Sequence, residues 1–234
     1  EAFWHPFGWS ATTLASIGVP TLTNTGTATG RAFATTNLYS RKRKIGYDTS
    51  ASSGQLCGTR VAAASDHLGT DGSFKGGFVR ATQFGDPQTI SGARKFTGVG
   101  AAGAPSNVEP STLTNSIGVG YGASDTNMMV FYGGSAAQTP IDLGANFPAN
   151  TAAVDWYELL LLGFAETDLK VGYQLKRLNT GDVTRGTLTG TVSGTQLPSA
   201  TSYFARRSDW RTNNATASVI GIDFGLDYFA NSSY

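Results

Sequence analysis

The stretch ASVIGIDFGLDY, Ala217 to Tyr228, decides the fold class. Ile220, Ile222, Phe224, Leu226 and Tyr228 fall on one parity; Val219, Gly221, Asp223, Gly225 and Asp227 fall on the other. Side chains of a strand alternate between faces, so one face is large and apolar and the other small and polar. Helical spacing would scatter the same residues around a cylinder. The parity predicts that Ile222→Ala and Phe224→Ala each cost roughly 2–5 kcal/mol, as buried large-to-small changes do. Asp223→Ala should cost much less. Glycines inside a strand often mark close approach of another backbone. Gly221, Asp223 and Gly225 are therefore a candidate oligomer interface, against the plainer reading of a solvated face of small residues.

Working outward, the same alternation recurs. Ile117, Val119 and Tyr121 alternate with Gly118 and Gly120, and Val171, Tyr173 and Leu175 alternate with Gly172, Gln174 and Lys176. Asn127 to Tyr132 is a nearly continuous apolar run, as in a strand covered on both faces. Val154 to Phe164 fits helix or strand by period. The alternation just after it favours a strand, in a hairpin across Ala165 to Asp168. Gly77–Phe84 and Ala93–Gly100 read as paired strands joined by a turn at Asp86-Pro87. Arg41 to Lys44, the basic run, reads as part of a solvated strand over Tyr39–Tyr47. Roughly twelve short strands with regular turn signals predict an antiparallel β-sandwich, jelly-roll or concanavalin-like, in a single domain. No fixed-period repeat suggests a solenoid or propeller.

A chain of 234 residues suits one such domain. Residues 1–26 form an aromatic-rich segment, with Phe3, Trp4, Phe7 and Trp9 around His5 and Pro6, expected to dock on the body or on a neighbouring subunit. Residues 27–234 form the sandwich. The formal net charge of +1 implies no bulk pull on nucleic acid. One cysteine, Cys57, excludes an internal disulfide and a cysteine zinc cluster. No apolar run reaches the length of a membrane-spanning helix. The chain opens at Glu1 without an initiator Met and reads as a processed or truncated piece of something longer.

Catalytic signatures are sparse. Two histidines, His5 and His67, do not make a metal cage. No Gly-x-Ser-x-Gly elbow appears, and the Gly118-Val119-Gly120 triplet sits inside a strand pattern. Of the carboxylate pairs a glycosidase would need, Asp155 and Glu158 point to opposite faces of a strand. Asp223 and Asp227 share a face about 13 Å apart. The expectation is a protein without catalytic residues, metal or other cofactor. Asp125 and Asn127 beside Tyr121 suit a sugar or calcium contact, although a plain turn demands the same residue types. Tyr121, Asp125 and Asn127 around that turn, with Tyr203 and Trp210 on a later loop, are the candidate ligand-binding residues.

The run SNVEPSTLTNSIGVGYGASDTNMMVFYGGSAAQTPIDLGANFPAN, Ser106 to Asn150, resembles a segment of tailed-bacteriophage structural proteins, specifically the C-terminal domain of tail-fibre or receptor-binding proteins. Gly46-Tyr47, Gly76-Gly77-Phe78, Asp155 to Leu159, Leu178 to Gly181 and Trp210 to Ala215 extend the likeness over about Thr27 to Asp227. The resemblance implies a virion component. Its expected partners are further copies in a homotrimer, other virion proteins, and a bacterial surface glycan or outer-membrane protein. Its expected role is non-catalytic, multivalent adhesion to the host surface. The alternative is a capsid decoration or other purely structural virion protein.

Overall fold

The computed structural model describes residues 2–4, 16–17, 22–166, 168–191 and 193–231. In chain order the strands are β1 (Ala2–Trp4), β2 (Ser16–Ile17), β3 (Leu22–Thr25), β4 (Thr27–Gly30), β5 (Ile45–Asp48), β6 (Leu56–Val61), β7 (Gly69–Asp71), β8 (Phe74–Gly76) and β9 (Phe78–Gly85). There follow β10 (Arg94–Gly100), β11 (Ser116–Tyr121), β12 (Met129–Gly133), β13 (Ile141–Asp142), β14 (Trp156–Gly163), β15 (Leu169–Arg177), β16 (Val183–Gly190), β17 (Ala205–Thr212) and β18 (Gly221–Asn231). A single helical turn, α1 (Leu38–Arg41), precedes β5, and a 3-10 turn covers Pro110–Thr112.

Two large sheets make the expected antiparallel sandwich. One runs β16-β15-β14-β9-β18-β1-β2, with β5 also paired to β18 and β4 to β5; the other runs β13-β12-β11-β10-β17-β6-β3. Between them lies one apolar core. Phe84, Leu159, Leu161, Val171, Leu175, Ile222 and Phe224 meet Cys57, Val99, Ile117, Val119 and Val130. A smaller cluster of Phe96, Phe131 and Trp210 lies on the outer side of the seven-stranded sheet. β12 is therefore covered on both faces, with Val130 in the main core and Phe131 in the outer cluster.

The closing strand β18 is central, between β9 on one side and β5 and β1 on the other. Its alternation holds only to Phe224. The register against β9 slips between Phe224 and Asp227, a bulge that places an extra residue in β18. Parity flips there. Asp227 and Phe229 turn to the buried side, and Leu226 and Tyr228, expected on the core face, are only partly buried. The chain thereby seats a carboxylate between the sheets.

Two further expectations change. β9 and β10 do not pair: they belong to opposite sheets, and Asp86-Pro87 begins the crossing from one to the other. The basic run is not a strand either. Asn37 caps α1, accepting from the Ser40 N–H at 2.8 Å while the Ser40 hydroxyl accepts from the Asn37 N–H at 3.0 Å. The strand begins only at Ile45. The aromatic cluster expected at the N-terminus falls largely outside the described residues. Of the first 26 residues, β1 and β2 extend the nine-stranded sheet and β3 edges the other.

Candidate functional site

The expected ligand residues do not converge. Tyr121 is buried, on the side of β11 that faces the other sheet. Its hydroxyl donates to Asp86 Oδ2 at 2.7 Å and accepts from Arg211 Nε at 2.6 Å. Burial, the dominant influence, holds this phenol well above its ordinary pKa. Trp210 lies within β17, stacked on Phe96 at 6.2 Å and almost wholly covered, rather than on a loop. Asp125 closes its own turn by accepting from the Gly122 N–H at 2.7 Å, and Asn127 donates to Asp142 at 3.0 Å. Among the described residues no group of three or more His, Cys, Asp or Glu side chains is placed to hold a metal ion. Asp142 also accepts from the Gly144 N–H at 2.7 Å, so the oxygens a calcium would need at this loop already bind the chain's own donors. Tyr121 pairs with Lys95 at the start of β10, whereas Gly100 at its end pairs with Ala205, just after Tyr203. Tyr203 thus lies about 17 Å along the sheet from Tyr121, whereas Trp210, paired with Phe96, sits at the Tyr121 end.

The proposed interface is filled from within the chain. Asp223 accepts from Arg31 Nε at 2.8 Å and from the Tyr39 hydroxyl at 2.6 Å. A side chain at Gly221 would run into Asp48, Pro87 and Arg31, and one at Gly225 would press on Trp156. The close approach that these glycines permit is made within the chain, by Asp48 of β5, Pro87 and Arg31 at Gly221 and by Trp156 of β14 at Gly225.

Tyr203 remains, and what surrounds it makes a site. β7 and β8 form a tight hairpin across Gly72-Ser73, with Gly72 at a φ of +59° that suits glycine. Asp71 and Phe74 are direct cross-strand partners, so their side chains share a face. The Tyr203 hydroxyl donates to Asp71, and His67 meets the tyrosine ring edge-on at 5.1 Å. That hydrogen bond is the main reason the Tyr203 phenol is raised above its ordinary pKa, so it stays protonated and a donor. Among the described residues three aromatic side chains are substantially exposed: Phe33, Phe74 at 66% and Tyr203 at 40%, the last two on this tip.

The tip is rigidly mounted. Phe204, next in sequence, is fully buried, with Phe78 edge-on at 5.1 Å and Phe78 in turn stacked on Phe229 at 5.8 Å. Backbone bonds tie Phe204 to Asp66 in both directions, at 2.8 and 3.2 Å. Asp66 is held by Arg206 Nε at 2.7 Å. Gly76 packs so closely on the His67 backbone that any side chain there would collide with it. Sequence reasoning pointed to Tyr203 and not to Asp71 or Phe74. The Gly72-Ser73 pair is the turn signal that marks the hairpin.

No protein-family model matches the chain, and no curated protein matches it. Among solved structures, peanut lectin is similar over 100% of this chain and 98% of its own, at a TM-score of 0.60 and 8% identity. Arcelin-5, a lectin-like defence protein from Phaseolus vulgaris, matches over 99% and 98% at 0.59 and 8%. Lectin UEA-II in complex with galactose matches over 99% and 98% at 0.58 and 12%. These likenesses establish a legume-lectin-like sandwich. They correct the functional expectation drawn from the phage resemblance. These neighbours are lectins or lectin-like, not tail fibres, and neither the tail-fibre assignment nor its alternative of a structural virion protein is retained.

Proposed function

We propose that this chain is a carbohydrate-binding domain that holds glycans at the Tyr203–Phe74 tip and cleaves nothing. The observation that carries the reading is the pair of exposed aromatic rings flanking a carboxylate on a rigid mount. Sugar rings present an apolar face to such rings and hydroxyls to groups such as Asp71 and the Tyr203 phenol. The shared architecture with lectins, one of them bound to galactose, supports the ligand class. The site is a platform rather than a pocket, which suits the face of an extended glycan. No pair of carboxylates is free to act on a substrate at the tip, since Asp66 already pairs with Arg206 and Asp71 with Tyr203.

A glycan array, started with galactose-terminated ligands, tests this. We predict that Tyr203→Ala and Phe74→Ala each weaken the best hit by roughly 2–12-fold, the range one aromatic contact supplies. Tyr121→Ala should affect binding only through stability, because Tyr121 is inside the protein. A reducing-sugar assay on the bound glycan should stay at baseline. Binding that survives loss of both aromatics would refute the tip as the site, and sugar release would refute the non-catalytic reading.

A further inference from the structure

The irregular link between β10 and β11 is a strap pinned at both ends on the outer face of the seven-stranded sheet. At its start Arg60 Nη1 donates to the Ala102 carbonyl at 2.7 Å. Toward its end Arg94 Nε pairs with Glu109 at 2.7 Å, Arg94 Nη1 donates to Asn107 Oδ1 at 3.0 Å, and Thr212 Oγ1 donates to the same oxygen at 2.9 Å. Between those ties the strap arches over a cleft of about 270 Å³.

From this geometry we infer that the cleft is a second binding site, for a single ring of a neutral, polyhydroxylated ligand such as a pyranose. Three features carry the inference. First, no lining residue is charged, Arg94 and Glu109 neutralise each other, and the Arg60 guanidinium at the strap's start is turned onto the Ala102 carbonyl, so the cleft wall itself offers an ionic ligand no counter-charge. Second, the lining mixes hydroxyls with apolar surface. Ser116 and Ser208 come from the strands, Thr112 and Thr114 from the strap, and Pro105, Val108 and Leu113 supply apolar wall, with the nearly covered Trp210 beneath. This is the composition that recognises a ring with polar edges and apolar faces. Third, the volume of about 270 Å³ lies just below the roughly 300–1,000 Å³ of pockets for drug-sized ligands, which suits one ring and not a chain. Because the strap is tied at both ends, the cleft exists before the ligand arrives and little ordering is needed on binding. None of its lining residues belongs to the Tyr203–Phe74 tip, so the inference stands independently of the reading above.

The test uses the full chain carrying Tyr203→Ala and Phe74→Ala together, which removes the tip. Free D-galactose, D-glucose and N-acetyl-D-glucosamine, with anionic D-galacturonate as the charged counterpart, are titrated in turn while the Trp210 indole N–H is followed by NMR. The expected result is a saturable shift in the millimolar range with at least one neutral sugar and none with galacturonate. Ser208→Leu, which fills the cleft from its floor, should weaken that binding more than 10-fold. Gly103→Gln fills it from the strap, where an added side chain meets no atom within 4 Å, and should do the same even if the Ser208 variant folds poorly. Absence of saturation with every neutral sugar overturns the inference. So does binding unchanged in a folded filling variant, or galacturonate binding as well as the neutral rings.

Discussion

Asp223 shows how far a single buried group departs from what its strand position suggests. Its side chain is fully covered, and burial raises its pKa against the pull of Arg31 and Tyr39. Arg31 also pairs with Asp48 at 2.6 Å, so one guanidinium joins β5 to β18. Removing Asp223 leaves the Tyr39 hydroxyl without its acceptor and Arg31 with an incomplete set of counter-charges in a partly buried site. Loss of one partner of such a pair costs roughly 3–5 kcal/mol, comparable to roughly 2–5 kcal/mol for a large-to-small change in the core. We therefore predict that Asp223→Ala destabilises the protein about as much as Phe224→Ala in urea denaturation. This reverses the expectation from parity alone. A loss under about 1 kcal/mol for Asp223→Ala would show that the outer face of β18 is better hydrated than its contacts indicate.

α1 is a single turn of four residues, yet it sets the geometry around Asp223. The turn presents Tyr39, which donates to Asp223 and meets Trp156 edge-on at 5.4 Å. An isolated four-residue turn has no stability of its own, so its caps and contacts must hold it. Asn37 supplies the cap and also donates to the Ala153 carbonyl at 2.9 Å. We predict that Asn37→Ala costs about 1–2 kcal/mol in chemical denaturation, the upper part of the range for a lost N-cap, because a second bond goes with it. Asn37→Asp keeps the capping oxygen but has no N–H for the Ala153 carbonyl, so it should recover only the capping part of that loss; equal losses for both would place the effect elsewhere. The elements also show what periodicity can and cannot specify. The strands β11, β14 and β15 and the β14–β15 hairpin are readable because alternation identifies a strand and a short loop identifies its partner. β9 and β10 were mispaired because alternation gives a face and not a neighbour. The bulge at Gly225-Leu226 was unreadable because the extra residue conforms to the pattern on both sides. The basic run hid α1 because one helical turn is too short to show a period.

At the scale of the molecule, buried charges bridge the sheets. Arg80 on β9 reaches Asp209 on β17 at 2.6 Å and Asp227 on β18 at 3.1 Å, and Arg207 joins the same two carboxylates at 2.7 and 3.1 Å. Farther along, Asp86 binds Lys95 at 2.7 Å and Tyr121, which in turn binds Arg211. This explains why the candidate site is only partly legible in the sequence. A Tyr, Asp or Arg has the same letter whether it serves a ligand or an interior ion cluster, and Tyr121 and Trp210 proved interior while Tyr203 proved exposed. The bridges also set the acid limit of the fold. Burial pushes both carboxyls up, but Arg211 and Lys95 at Asp86, and Arg207 and Arg80 at Asp227, outweigh it and leave each below the ordinary value. In the unfolded chain these groups titrate at about pH 3.9. Above that pH both states are ionised at these sites and the contribution is fully present. As pH falls the unfolded chain takes up protons first, so stability drops, and the contribution is lost as pH passes through the depressed folded values. Asp223, raised on folding, acts in the opposite sense: its ionisation costs stability as pH rises above about 3.9. With two depressed groups against one raised, we predict a melting temperature nearly flat from about pH 7 to 5 and falling steeply below about pH 4. Asp227→Asn should lower the melting temperature at neutral pH and make the acid fall shallower, because one of the groups responsible is gone. Asp223→Asn should leave the fall as steep or steeper. Thermal melts followed by near-ultraviolet circular dichroism across that range decide it. An Asp227→Asn protein with the wild-type acid slope would mean that the inter-sheet bridge does not govern acid unfolding.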